Sequence, residues 1–220
     1  QLVGPLDYGF RAYTLLPAPS SPPQVVPAPD QPLIQEAGAD QFAVASFNLL
    51  RLFDTVNDPN VSDVAVTPAA YANRLIKLSA TVRDYLHTPD VLGVQEAENL
   101  QVLQDLAARI DQDATAAGQP APGYAAHLVE GNDVGGIDVG FLVASRVAVQ
   151  SIVQHGPDDV YTNPVTGLPD LLNDRPSLSL RATIAAAVGT LPAEVVVVVH
   201  HLRSLNGVDD ADGRVRAKRL

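Results

Sequence analysis

The sequence predicts an α/β sandwich, two central sheets with helices outside them, and three observations lead there. Apolar runs rich in β-branched residues recur from residue 41 onward, as in FAVASFNLL, VLGVQE and VVVVV. Two segments with helical spacing separate the first three of these runs, and the later runs follow one another at hairpin-length intervals. Strands interleaved with helices and then strands in succession suit a sandwich, and do not suit a simple doubly wound sheet.

Taken in chain order, residues 1–15 (QLVGPLDYGFRAYTL) alternate apolar and polar positions and read as one or two strands at the end of an upstream β-rich module. Residues 16–40 hold seven of the eighteen prolines within LPAPSSPPQVVPAPDQP, so they are expected to be an extended, semi-rigid connector. A domain is expected to fill residues 41–220. Its first strand is FAVASFNLL. A helix over 67–86 follows, with Thr67 as N-cap, Pro68 in its first turn, and Tyr71, Leu75, Leu78, Val82 and Tyr85 along one face. Strand VLGVQE, a helix from Asn99 or Leu100, and strands YAAHLVE, IDVGFLVA and VAVQSIV come next. A long polar excursion leads to the last two strands, SLRATIAAAV and AEVVVVVHHL. The chain begins with Gln1, contains no Met and stops at Arg219-Leu220 in what reads as a new helix, so it is expected to be an excerpt of a longer protein.

Composition narrows the chemistry. Without Cys there are no disulfides and no thiolate sites, which leaves carboxylate, amide and imidazole ligands. Those donors suit Mg²⁺, Mn²⁺ or Ca²⁺ better than structural zinc. No apolar stretch is long enough to span a membrane. A net charge of −11 argues against generic polyanion binding. Its distribution argues the other way, because Arg203, Arg214, Arg216, Lys218 and Arg219 crowd into the last eighteen positions. A solvated helix face explains that cluster equally well.

Polar residues at strand ends carry the functional signal. Glu96 ends VLGVQ just before a helix start, where a carboxylate can hold a divalent metal while the helix N-terminus attracts an anion. The same residue could serve in a helix cap. Asn48 lies in an apolar strand, where an unpaired amide costs about 1–3 kcal/mol, or it forms a turn at the strand exit. Asp138 follows Gly135 and Gly136 at the start of IDVGFLV, facing either the site or, by alternation, the solvent. His201 closes the valine run and can donate to a phosphoryl oxygen or protonate a leaving group. His200 alternates to the opposite face and is expected in the core or supporting the site from behind. Arg175, before Pro176, can clamp a phosphate or be a plain surface charge. Asp54, Asp58 and Asp63 do not match a calcium loop and read as solvated.

Taken in order, SFNLL, VLGVQEAEN, GGIDVGFLV, NDRPSL and HHLRS resemble the motifs of the endonuclease/exonuclease/phosphatase superfamily, over residues 42–220. Its members include pancreatic-type deoxyribonuclease, abasic-site endonucleases, sphingomyelinases and inositol polyphosphate phosphatases. Secreted bacterial nucleases, with a β-rich module and a Pro-rich linker ahead of the catalytic domain, are most similar in texture. The resemblance implies a four-layer α/β sandwich with two mixed sheets. It implies Asn48 and Glu96 on Mg²⁺ or a similar ion, His201 and Arg175 at the scissile phosphate, and Asp138 in support. It also implies a nucleic-acid substrate, DNA ahead of RNA, further domains in the full-length chain, and an extracellular or cell-surface location.

Two departures stand out. His200 replaces the Asn common before the family's His motif, and the Gly-Asp-Phe-Asn motif and terminal Asp-His pair are not within these residues, so this segment alone is expected to be inactive. A lipid or inositol phosphoesterase of the same fold, and a non-catalytic scaffold or adhesion module, are the alternatives.

Overall fold

The computed structural model describes residues 4–9, 12–16, 18, 34, 36–38, 41–184 and 192–218. The chain divides into two compact units, residues 1–33 and 34–220. In the first, β1 (Leu6–Gly9) and β2 (Ala12–Leu15) form an antiparallel hairpin. Tyr8 and Tyr13 face each other across it, ring centroids 4.7 Å apart. The expected Pro-rich connector lies almost wholly outside the described residues.

The second unit is an α/β sandwich. Its first sheet has the order β3-β4-β6-β5, formed by β3 (Val44–Leu52), β4 (Val91–Ala97), β5 (Ala125–Leu128) and β6 (Asp138–Val143). β3 and β4 run parallel, joined by a helical crossover, and the other pairs are antiparallel, so this sheet is mixed as expected. The second sheet, β11-β10-β7, consists of β7 (Val147–His155), β10 (Ser177–Ile184) and β11 (Ala193–Val199) and is purely antiparallel. That corrects the expectation of two mixed sheets: none of its strands is linked by the helical crossover that parallel pairing requires. The polar excursion between β7 and β10 carries a small exposed hairpin, β8 (Val160–Thr162) with β9 (Pro169–Leu171).

Alternation in the first sheet builds two cores. Leu92, Val94 and Leu142 pack against helices α1 (Pro68–Ala80) and α2 (Leu100–Ala116), with Leu75, Leu78, Leu103, Leu106 and Ile110. Val91, Val139, Phe141 and Val143 point the other way, against Leu178, Leu180, Ala182 and Val199 of the second sheet. A strand buried on both faces has to be apolar at every position, which is why VLGV carries no polar residue. A Cβ at Gly93 would stand 3.4 Å from the Val199 side chain, in contact with the second sheet. Among the described residues the layers are helices, sheet, sheet. The outer side of the second sheet presents Arg181, Glu194, Val196 and Val198 to solvent, and the fourth layer implied by the resemblance is not formed by described residues.

Thr67 caps α1 by accepting from the Ala70 N–H, and Asn99 caps α2 by accepting from Val102. The first helix departs from expectation at its end, where Thr81–Tyr85 form a π-helical turn. The wider turn shifts the periodic face, so Val82 is buried while Tyr85 is exposed. No described helix is long and apolar enough to cross a membrane. Beyond β11 the described chain ends in a single helical turn, α3 (Arg214–Ala217); Arg219 and Leu220, expected to continue it, are outside the described residues.

Candidate active site

Because β3 and β4 are parallel, their C-terminal ends open on the same edge of the sheet, the edge where α/β folds place ligands. Both strands break their regular pairing there, β3 between Asn48 and Leu52 and β4 between Gln95 and Ala97. Glu96 takes φ 63° and Leu50 and Arg51 take φ 53° and 60°, left-handed conformations uncommon for side chains of this size. Irregular strand ends of this kind re-aim side chains at functional sites. Here the Asn48 Nδ2 donates to Glu96 Oε1 at 2.9 Å, and the Leu50 N–H donates to Asn48 Oδ1 at 2.7 Å. Arg74, reaching from α1, braces the turn by donating to the carbonyls of Leu49 and Leu50.

The end of β11 arrives beside Glu96. His201 Nε2 lies 3.4 Å from the same Oε1, and its buried Nδ1 has no partner among the described residues. Burial, reinforced by the neighbouring Arg175 charge, lowers the His201 pKa against the opposing pull of Glu96 and Asp133. The imidazole is therefore neutral near pH 7 and offers a single N–H. Arg175 donates through Nη1 to Asp133 Oδ2 at 2.8 Å and through Nε to the His201 carbonyl at 3.3 Å, which fixes it beneath the histidine.

These groups line a cleft of about 470 Å³ together with Arg51, Asp174, Arg203 and Asn206. Asp174 is paired twice, with Arg203 and with Lys218 Nζ at 2.7 Å. The strand-end positions Asn48, Glu96 and His201 thus converge with Arg175 on one place. Asp138 does not line this cleft. It is buried, in an adjoining crevice with Glu98, Glu130 and Asp133. Burial and then the Glu130 charge raise its pKa well above the usual carboxylate range. His200 is corrected from a core position: it is exposed, its Nδ1 2.5 Å from Ser177 Oγ, because alternation turns it to the outer side of the second sheet.

The acidic stretch after β3 is also not simply solvated. Glu98, itself buried, accepts from the Asp54 N–H, and Asp63 is half-buried with one oxygen out of contact with any partner among the described residues. Burial first, then the Asp54 and Asp63 charges, push the Glu98 pKa up to about 7.

The donor set limits what metal could bind. Among the described residues no group of three or more His, Asp and Glu is arranged around an ion. One hard carboxylate in an open, polar cleft fits Mg²⁺, which keeps most of its waters and binds through one or two carboxylates plus substrate oxygens. Asn48 Oδ1 accepts from the Leu50 N–H and keeps a second lone pair with which it can hold an ion. Its amide N–H aims Glu96 at the same time.

Arg51, Asp133 and Asp174 were not legible as site residues in the sequence. Arg51 is three positions past Asn48 on the same strand end, the one signal that could have marked it. Asp133 and Asp174 act through partners 42 and 44 residues distant.

No curated protein matches this chain. Solved structures similar to it include truncated TDP2 of Caenorhabditis elegans, at 18% identity, covering 76% of this chain and 48% of that one, with a TM-score of 0.41. An endonuclease/exonuclease/phosphatase family protein of Bacteroides thetaiotaomicron is similar at 15% identity, covering 71% and 49%, with a TM-score of 0.39. ANGEL2, a 2′,3′-cyclic phosphatase in complex with adenosine-2′,3′-vanadate, is similar at 14% identity, covering 81% and 45%, with a TM-score of 0.41. The chain spans about half the length of these structures. The sequence profile of the Endonuclease/Exonuclease/phosphatase family matches residues 43–155, from the strand that carries Asn48 through the end of β7. Over half of the chain matches that profile, and the protein belongs to the Endonuclease/Exonuclease/phosphatase family.

Proposed function

We propose that this chain is the catalytic segment of a divalent-metal-dependent phosphodiesterase that cleaves nucleic acid, DNA ahead of RNA, outside a bacterial cell and alongside further domains. Family membership supports hydrolysis of phosphodiester bonds with a divalent metal. One observation carries the reading to these residues: the Glu96 carboxylate is turned out of a strand end by a left-handed backbone, held by Asn48 and faced by His201 beside Arg175. A scaffold has no use for a strained acid in an open cleft. The Pro-linked, Cys-free, acidic composition supports the extracellular placement.

In this reading Glu96 and the aiming amide of Asn48 hold Mg²⁺, Mn²⁺ or Ca²⁺, which when bound would neutralise charge on the phosphoryl oxygens. Neutral His201 donates its Nε2 proton to a non-bridging oxygen as negative charge builds in the transition state. Arg175, held by Asp133, adds a fixed positive charge on the same side. Asp138 acts from behind, keeping the acid-rich crevice protonated and compact, and His200 supports the strand end through Ser177.

The test uses the full-length protein that contains this segment. It is incubated with supercoiled plasmid and, separately, with a phosphomonoester, in Mg²⁺, in Mn²⁺ and in EDTA, with Glu96→Ala as control. Metal-dependent nicking that the variant loses by at least about a hundredfold supports the reading. Plasmid left intact in both metals refutes it, and phosphomonoester turnover alone would point to the phosphatase alternative.

A further inference from the structure

The cleft is lined by three arginines, and two of them are already neutralised. Arg175 is paired with Asp133 and Arg203 with Asp174. Arg51 makes no ion pair and no side-chain hydrogen bond among the described residues. It is nonetheless not a loosely tethered surface residue. Its backbone is fixed at φ 60°, directly after a turn that Arg74 clamps through two carbonyls and that Asn48 closes through the Leu50 N–H. The structure therefore holds an uncompensated guanidinium at the cleft, three residues from the amide that aims Glu96.

A cleft of about 470 Å³ has room for more than the single phosphate that Glu96, His201 and Arg175 converge on. A guanidinium without a protein partner is suited to bidentate capture of a second phosphate. In a substrate with one phosphate it would have nothing to bind. In a nucleic-acid strand, phosphates recur on either side of the one being cleaved.

We infer that Arg51 binds the phosphate adjacent to the scissile one, so that the site selects a polynucleotide strand over an isolated phosphate ester. This rests on the phosphodiesterase reading above and adds to it the residue that sets substrate class. Arg51 is a specificity residue: it touches the substrate away from the bond that breaks.

The experiment compares the full-length wild-type protein with Arg51→Asn, which tolerates a left-handed backbone without the charge, and Arg51→Lys, which keeps the charge. The first readout is kcat/KM on the dinucleotide TpT, with one phosphate, and the trinucleotide TpTpT, with two. The ratio of TpTpT to TpT is expected to fall about tenfold in Arg51→Asn and to recover most of the way in Arg51→Lys. The second readout is binding of a labelled oligothymidylate across a salt series. There, Arg51→Asn is expected to weaken binding about tenfold and flatten the salt dependence by about 0.7 in log–log slope.

An unchanged ratio, or loss on both substrates in parallel, would overturn the inference, since Arg51 would then act at the reacting phosphate or only on the turn. An unchanged salt slope would overturn it as well. Wild-type protein that leaves plasmid intact refutes the phosphodiesterase reading, while the salt-dependent binding still decides the role of Arg51.

Discussion

Replacing Glu96 by Gly and by Ala separates the strain at the site from its chemistry. Both variants lose the carboxylate, and with it the acceptor for Asn48 and the contact with His201, so those losses cancel in the comparison. What differs is the backbone. Glu96 holds φ 63°, and a left-handed residue with a Cβ costs about 1–2 kcal/mol, which Ala retains and Gly relieves. Gly gives back about 0.4–1 kcal/mol through its greater freedom in the unfolded chain. The balance leaves Glu96→Gly more stable than Glu96→Ala by about 0.5–1 kcal/mol, a Tm gap of roughly 1–4 °C for a chain of this size. Because the chain has no Trp, thermal unfolding is followed by far-ultraviolet circular dichroism, in EDTA so that metal binding does not contribute. Equal stability, or Ala above Gly, would refute the argument that the strand end is strained to aim its acid. Activity is expected to be lost in both, because neither keeps the carboxylate that the strain aims.

The acids beneath the cleft should make the fold sensitive to alkali. Glu98, with a pKa raised to about 7 from an ordinary 4.5, takes up a proton on folding, so its contribution is complete below about pH 4.5 and lost as pH rises through 7. Glu98→Gln keeps a donor and an acceptor without the charge. Its urea midpoint should exceed that of the wild type at pH 8.5 and match it near pH 5, and the same pH dependence in both proteins would contradict the assignment. At the opposite end of β4, buried Asp90 takes a two-point ion pair from Arg146 and the Ala43 N–H at 2.8 Å. Arg146→Met should cost about 1–3 kcal/mol in urea unfolding, below the value for a fully buried pair because the arginine is 43% exposed, and adding Asp90→Asn should recover part of that.

How much of this was legible follows from the range over which each signal acts. The strands β4 and β6 are buried runs and β11 an apolar run with one face exposed, all flanked by turns, and their apolar pattern located them, as capping residues located the starts of α1 and α2. Glu96 and His201 were legible for the same reason, being polar residues at the ends of apolar strands. Three features were not. The π-helical turn at Thr81–Tyr85 breaks a periodicity that the sequence itself continues. The left-handed residues Leu50, Arg51 and Glu96 carry none of the glycines that usually announce such a backbone, because their conformation is imposed by tertiary clamps such as Arg74. Asp138 lies at a predicted strand start, yet its direction depends on Glu130 and Gly131 in the preceding loop, which alternation along one strand cannot foresee.

The charge balance of the cleft is what would let an acidic chain carry out the proposed function. Glu96, Asp133 and Asp174 line it against Arg51, Arg175 and Arg203, three charges of each sign, and lowered basicity keeps His201 neutral. The cleft is thus close to neutral within a chain of net charge −11, already an exception to its surroundings. Two of its acids are taken up by arginines, which leaves Glu96 as the unpaired anion and Arg51 as the unpaired cation. A divalent cation answers the first and a phosphate answers the second, so each ligand removes the charge that would otherwise repel or fail to hold the other. Metal and strand are expected to bind in concert for that reason, with recognition confined to a site a few residues wide while the rest of the acidic surface repels non-specific contact with nucleic acid.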